Sequence, residues 1–126
     1  MPRARTRPDP IPPRIDVQPS GDVLCLVVRG AELTGDEWVQ CLRRTAETAT
    51  AEVDRPKVLL DLHDVEHMSS AVLGELVNIN RAMFKRGGEL RLCGLKPSLK
   101  DVLAVSGLDR ALHIDADREQ SMRRLG

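Results

Sequence analysis

The sequence predicts an α/β domain: a mixed, mostly parallel sheet of about five strands with about four helices, its first two strands forming a hairpin. Three observations carry this prediction. The continuous apolar run at 23–28 reads as a strand buried on both faces, the apolar run at 58–62, which ends on Asp61 and Leu62, as a second strand, and 90–93 as a third. Between and after them, apolar residues recur every three or four positions, the spacing of a helix with one buried face. Pro19-Ser20-Gly21-Asp22 is turn chemistry between the first two strand-like segments. Strands alternating with helices need crossover connections, which give a largely parallel sheet with right-handed crossovers.

Taken in order, residues 1–13 hold five prolines and three arginines and almost nothing that could enter a core, so they read as a disordered or extended tail. The domain proper is expected over 14–126. Residues 14–18 alternate, with Ile15 and Val17 on one side, as an edge strand does. After a loop at 30–35, Asp36 is placed to cap a helix carrying Trp38, Cys41, Leu42, Thr45, Ala46 and Ala49 on one stripe. Asp54-Arg55-Pro56 ends it. The run at 58–62 leads through a polar bend into a helix over about 70–86, with Val72, Leu73, Leu76, Val77, Ile79, Met83 and Phe84 inward. Gly87-Gly88 stops this helix before the strand at 90–93. A further helix has Leu99, Val102, Leu103 and Val105 inward and stops at Gly107; a short last strand at 111–114 follows. Asp115 or Asp117 caps a C-terminal helix bearing Met122 and Leu125.

A chain of 126 residues suits one domain. Acidic and basic side chains balance at 19 each, so no broad field favours nucleic acid or an anionic membrane. Trp38 and Phe84 are the only aromatics, which removes the stacking platforms that single-stranded nucleic acid requires. No apolar run approaches the ~20 residues of a membrane span, and the N-terminus lacks the apolar core of a secretory signal. Cys25, Cys41 and Cys93 are far apart and form no C-x-x-C pair; they read as reduced core thiols of a cytoplasmic protein.

The chemistry concentrates where the run at 58–62 gives way to the next helix. Ser69 and Ser70 stand at a helix start, where a side-chain oxygen can accept from an unpaired backbone N–H. The same position tolerates negative charge, because the helix dipole and those N–H groups point at it. The pair reads either as a plain cap or as a switch. Gly74 inside the helix costs about 1 kcal/mol relative to alanine, which close packing on a neighbouring element, or the approach of a partner, would explain. Arg81, Lys85 and Arg86 form a basic, solvated end that suits the dipole.

Several segments together resemble one family. The strand end Asp61-Leu62 is followed by Val65-Glu66-His67-Met68 and then by Ser69-Ser70-Ala71-Val72-Leu73-Gly74. Further on come Gly87-Gly88-Glu89-Leu90-Arg91-Leu92 and Gly107-Leu108-Asp109-Arg110-Ala111-Leu112. In this order and spacing, over residues 14–125, they are similar to the STAS domains of sulfate-transporter tails and bacterial anti-sigma factor antagonists. The resemblance implies the STAS fold and a non-enzymatic protein–protein interaction module without cofactor, acting in a partner-switching system that regulates transcription. Its implied partner is an anti-sigma factor that is also a serine kinase of the histidine-kinase-like ATPase type. The implied binding rim is His67, Met68, Ser69, Ser70, Ala71, Val72, Gly74 and Glu75. The family motif D-S-S/T-G aligns with Ser69-Ser70-Ala71-Val72, so its second hydroxyl, the usual phosphoacceptor in several members, is Ala71 here. Ser70 is then the first candidate for phosphorylation and Ser69 the next. The absent acceptor also leaves open an alternative, a non-phosphorylated accessory subunit of an ABC-type membrane transporter.

Two other patterns are weaker. His63-Asp64-Val65-Glu66-His67 matches the H-x-x-E-H string of one zinc-protease class, whose chemistry needs both histidines on one helical face. Here the string is a bend after a strand, with Val65 and Met68 inward. Ser70, His67 and Asp61 spell a triad on paper, but the serine lacks the G-x-S-x-G elbow that would expose it. No glycine-rich loop with lysine is present to cradle a nucleotide.

Overall fold

The apolar runs become the buried strands expected of them. The computed structural model describes residues 12–126; of the expected tail, residues 1–11 lie outside the described residues. Strand β1 (Arg14–Ser20) pairs antiparallel with β2 (Val23–Arg29), and Gly21-Asp22 makes the turn between Ser20 and Val23. Then follow β3 (Glu32–Leu33), α1 (Asp36–Ala49), β4 (Lys57–Asp61), β5 (His67–Met68), α2 (Ser70–Lys85) and β6 (Glu89–Cys93). The chain finishes with α3 (Pro97–Ser106), a 3-10 turn (Leu108–Arg110), β7 (His113–Ile114) and α4 (Arg118–Leu125). Five strands form one sheet in the order β1-β2-β4-β6-β7, with β2, β4, β6 and β7 parallel. The order runs in one direction across the described residues. A doubly wound sheet opens its ligand crevice where the order reverses, and this sheet does not reverse.

Period-two alternation divides the strand side chains between two cores. Leu26, Val28, Val58, Leu60, Leu90 and Leu92 face the larger one, with Trp38 and Leu42 of α1, Leu76 and Ile79 of α2, and Leu99 and Leu103 of α3. Val23, Cys25, Val27, Leu59 and Cys93 face the other side, under Met122 and Leu125 of α4. Both faces of the middle strands are therefore covered, which is why 23–28 reads as an unbroken apolar run rather than as alternation.

The helix ends correct some of the expectations. Gly35, at φ 91°, precedes α1, and Asp36 is its first residue rather than its cap, with no side-chain cap bond. Asp117, not Asp115, caps α4, accepting from the Gln120 N–H at 2.8 Å. At the end of α2, Gly87 takes φ 75° and Gly88 lies so close to Pro56 that a Cβ there would sit 2.0 Å from its carbonyl oxygen. Both glycines are thus required, one by conformation and one by space. Phe84, Val102 and Val105, expected inward, are 77%, 47% and 90% exposed. The buried stripe of α2 passes through Met83, and one residue further on is about 100° round the helix. On α3, Leu99 and Leu103 alone face the core. Of the thiols, Cys25 and Cys93 are buried, whereas Cys41 is half-exposed on α1.

Two polar networks hold the ends of elements together, and neither has a signal in residue spacing. Arg86 is exposed, as expected of a basic helix end, but it is also engaged: its guanidinium donates to Thr50 Oγ1 at 2.8 Å, to the Thr50 carbonyl at 2.5 Å and to the Val53 carbonyl at 2.7 Å. It thereby satisfies acceptors left over at the C-terminus of α1. Asp115, 4% exposed, accepts from Arg91 at 2.6 and 3.2 Å and from the Ser121 hydroxyl at 2.6 Å, with Arg124 at 3.2 Å. Burial pushes its carboxyl up, but these hydrogen bonds and the two arginine charges outweigh it and hold the group below the usual carboxylate range.

Arg86→Ala is expected to cost about 1–2 kcal/mol, seen as a lower urea midpoint at unchanged slope; Arg86→Lys recovers little, since an ammonium cannot fork between three acceptors. Because Asp115 is depressed in the folded chain, its stabilisation is present above the unfolded carboxylate range and is lost as pH falls through and below it. Asp115→Asn should lower Tm at neutral pH and flatten the further loss below about pH 4, measured by thermal melts from pH 7 to pH 2.

Candidate functional site

The site grows out of the C-terminal end of β4. Asp61 ends that strand at 7% exposure. Its Oδ1 accepts from the backbone N–H of His63 at 3.1 Å and lies 2.8 Å from His63 Nδ1. The other ring nitrogen of His63 is 3.1 Å from Asp64, which Arg29 approaches at 3.7 Å while pairing with Asp16 at 2.9 Å. Lys96, just before α3, donates its ammonium to the His63 carbonyl. The turn after β4 is thus tied to β1, β2 and the α3 entrance. Arg29 and Lys96, the latter 33 residues from His63, were not legible from local spacing.

The bend that follows is stiffer than the sequence implied. Backbone N–H groups of Glu66 and His67 donate to the Ala31 carbonyl at 2.7 and 3.0 Å, and β5 pairs in parallel with β3 through Glu32–His67 and Leu33–Met68. Two-residue strands carry no periodicity, so this ribbon had no sequence signature. The Ser69 N–H donates to the Leu33 carbonyl at 3.0 Å, which fixes the residue at the helix start. Its hydroxyl then caps α2, accepting from the Val72 N–H at 3.2 Å.

The structure separates the expected rim residues. His67, Ser70, Ala71 and Gly74 are exposed, while Met68 and Ser69 are half-buried. Val72 and Glu75, at 0% and 3% exposure, belong instead to the inward face of α2. Leu73, Leu76 and Ile79 share that face with Val72. Glu75 is kept inside by Arg43 of α1, whose guanidinium makes a fork at 2.7 and 3.2 Å and is itself raised in pKa, first by that hydrogen bond and then by the carboxylate charge. Sequence periodicity could not pair them, because the partner lies on another helix. A Cβ on Gly74 would meet nothing within 4 Å, so close packing does not explain this glycine.

The weaker patterns do not assemble. His63 sits in the turn and His67 on β5, so the H-x-x-E-H string has no common helical face, and among the described residues no cluster of three or more His, Cys, Asp or Glu could hold a metal ion. Asp61 bonds His63 rather than His67, which breaks the paper triad. No helix among the described residues is long and apolar enough to cross a membrane.

Known proteins share both sequence and architecture with this chain. A candidate anti-sigma factor antagonist of Bordetella bronchiseptica, BtrV, is 30% identical over 92 residues, 64% of this chain and 79% of that protein. An anti-sigma factor antagonist from Mycobacterium paratuberculosis superposes with a TM-score of 0.75 at 19% identity, over 90% of this chain and 93% of its own. The Bacillus cell fate determinant SpoIIAA in its phosphorylated form superposes with a TM-score of 0.65 at 19% identity, over 90% and 100% of the two chains. The sequence profile of the STAS domain matches residues 14–121, and with the sheet order, the hairpin and the helix-capping serine in place, this chain belongs to the STAS domain family.

Proposed function

We propose that the protein is an anti-sigma factor antagonist that regulates transcription by partner switching in the cytoplasm and catalyses nothing itself. The exposed rim of His67, Ser70, Ala71 and Gly74, bordered by Met68 and Ser69, binds an anti-sigma factor that is also a serine kinase of the histidine-kinase-like ATPase type. Phosphate on Ser70 then reverses the binding.

The observation that carries this reading is the position of Ser70: exposed, first residue of α2, and beside a cap that already satisfies the helix. A phosphate there adds close to two negative charges where the helix dipole favours them, so the fold tolerates what the docking surface does not. Ser69 is the poorer acceptor, because its oxygen is engaged with the Val72 N–H and modification would remove the cap. Gly74, one turn further along the same face, leaves room for a partner's side chain. Ala71, standing where the family's usual acceptor falls, favours a second reading: an unphosphorylated accessory subunit of an ABC-type transporter. Purification from cells separates the two, since the first predicts a regulatory kinase as the bound protein and the second a transporter ATPase.

Incubation with the co-purified kinase and ATP should add one phosphate to the peptide containing Ser69 and Ser70, and Ser70→Ala should abolish that mass gain; a wild-type chain that gains no mass removes the phosphoswitch. Ser70→Asp should leave folding stability within about 1 kcal/mol of wild type while weakening kinase binding by about tenfold or more. Calorimetric titration beside a thermal melt reads both, and equal affinity would exclude Ser70 from the interface.

A further inference from the structure

Three of the four large apolar side chains exposed among the described residues are Phe84, Val102 and Val105. They lie on α2 and α3, which cover the same face of the sheet. Asn80 of α2 donates to the Ala111 carbonyl at 2.8 Å, just beyond the 3-10 turn that follows α3. Phe84 is one turn after Asn80 and so shares its flank, the one towards α3. On α3, Lys100 and Ala104 line a hollow against His113 and Ile114 of β7. Val102 and Val105 are about 100° or more round the helix from both, away from β7 and on the α2 side. The three side chains thus converge from two neighbouring helices. Their border is basic: Arg81 and Lys85 stand exposed beside Phe84, whereas Asp101 and Asp109 line the hollow on the β7 side.

We propose that the protein docked at the α2 rim also covers this patch, setting an apolar face on Phe84, Val102 and Val105 and acidic side chains against Arg81 and Lys85. The inference rests on the reading of the rim as a docking site and adds to it an anchor and the chemistry of the partner. Continuity, size and charge support this occupant. Ser70, Gly74, Val77, Arg81 and Phe84 follow one another at four, three, four and three residues, so one stripe of α2 runs from rim to patch over about 21 Å. A stable complex covers about 800 Å² of each partner, more than a few small exposed residues supply. The exposed rim of His67, Ser70, Ala71 and Gly74 holds no large apolar side chain, and binding energy concentrates on such anchors, aromatic ones above all. Phe84, the only phenylalanine in the chain, supplies one at the far end of the same stripe. An apolar patch bordered by cations selects a segment with an apolar face and an acidic flank.

Calorimetric titration of the full chain with the protein that co-purifies with it, regulatory kinase or transporter ATPase, tests the anchor. Phe84→Ala should weaken binding by about tenfold or more, and Arg81→Glu should weaken it less while flattening its dependence on salt. Both side chains are exposed, so thermal melts of these variants should match wild type; should Phe84→Ala unfold, Val105→Ser decides in its place. Ser70→Asp is titrated beside them. If it weakens binding while Phe84→Ala and Arg81→Glu bind as wild type does, the patch lies outside the interface, and the proposal falls while the rim reading stands. If Phe84→Ala weakens binding and Ser70→Asp does not, the anchor stands and the phosphoswitch falls. A wild-type chain that binds neither protein overturns both. Self-association in the ultracentrifuge, or co-sedimentation with phosphatidylglycerol vesicles, that Phe84→Ala abolishes would assign the patch to a second copy or to a membrane and overturn the proposal.

Discussion

Strand β4 is hydrogen-bonded on both sides and covered on both faces, with only Lys57 of its five residues outside the buried set. A strand so enclosed has no freedom of register, since a shift of one residue would exchange the Val58 and Leu60 side chains with Leu59 and Asp61 between two cores of unequal size. The proposed docking rim hangs from its C-terminal end. Asp61 orders the turn, the turn feeds the β3–β5 ribbon, and the ribbon delivers Ser69 to the start of α2. The position of an exposed serine, Ser70, is thus set by a buried strand that ends nine residues before it.

Helix α2 serves two environments at once. One side enters the core through Val72, Leu76 and Ile79, and the other stays in solvent with Ser70, Ala71 and Gly74. Glu75 looks like a member of the solvent set, being polar and adjacent to Gly74, yet it is desolvated and forked to Arg43. Only the carboxylate of this pair is buried, since Arg43 is 46% exposed, so losing Arg43 strands a desolvated charge while losing Glu75 leaves an arginine that water can reach. The pair joins α1 to α2 at a defined rotation, and that rotation decides which residues of α2 face solvent. Arg86 repeats the device at the other end of α2, gripping the end of α1 around Thr50.

The serine-rich helix start departs from the family pattern at Ser69, Ala71 and Val72. Ala71 cannot carry a phosphate, and Ser69 replaces an acidic residue while performing the same capping task through its hydroxyl. The helix start therefore carries no acidic side chain in its first turn, and any negative charge there must be added rather than resident. The charge contrast between unmodified and modified states is then as large as this position permits, because no neighbouring carboxylate within that turn dilutes it.

The sequence by itself determined the class of fold, the hairpin, the alternation of strands with helices and the helix that starts at Ser70. Those follow from local periodicity, turn chemistry and capping, which act over a few residues. It also singled out the candidate junction at Ser69 and Ser70, through the order of short motifs. What only the tertiary structure decided is which members of each apolar or polar set face inward. Phe84, Val102 and Val105 fit a helical stripe yet stay in water, and Val72 and Glu75 fit a surface rim yet are buried. Likewise Arg86 with Thr50, Arg43 with Glu75, and β3 with β5 are pairings across more than 30 residues. The reason is geometric: a helix's own pattern defines its amphipathic axis only to within tens of degrees, and the neighbour it packs against sets the remainder.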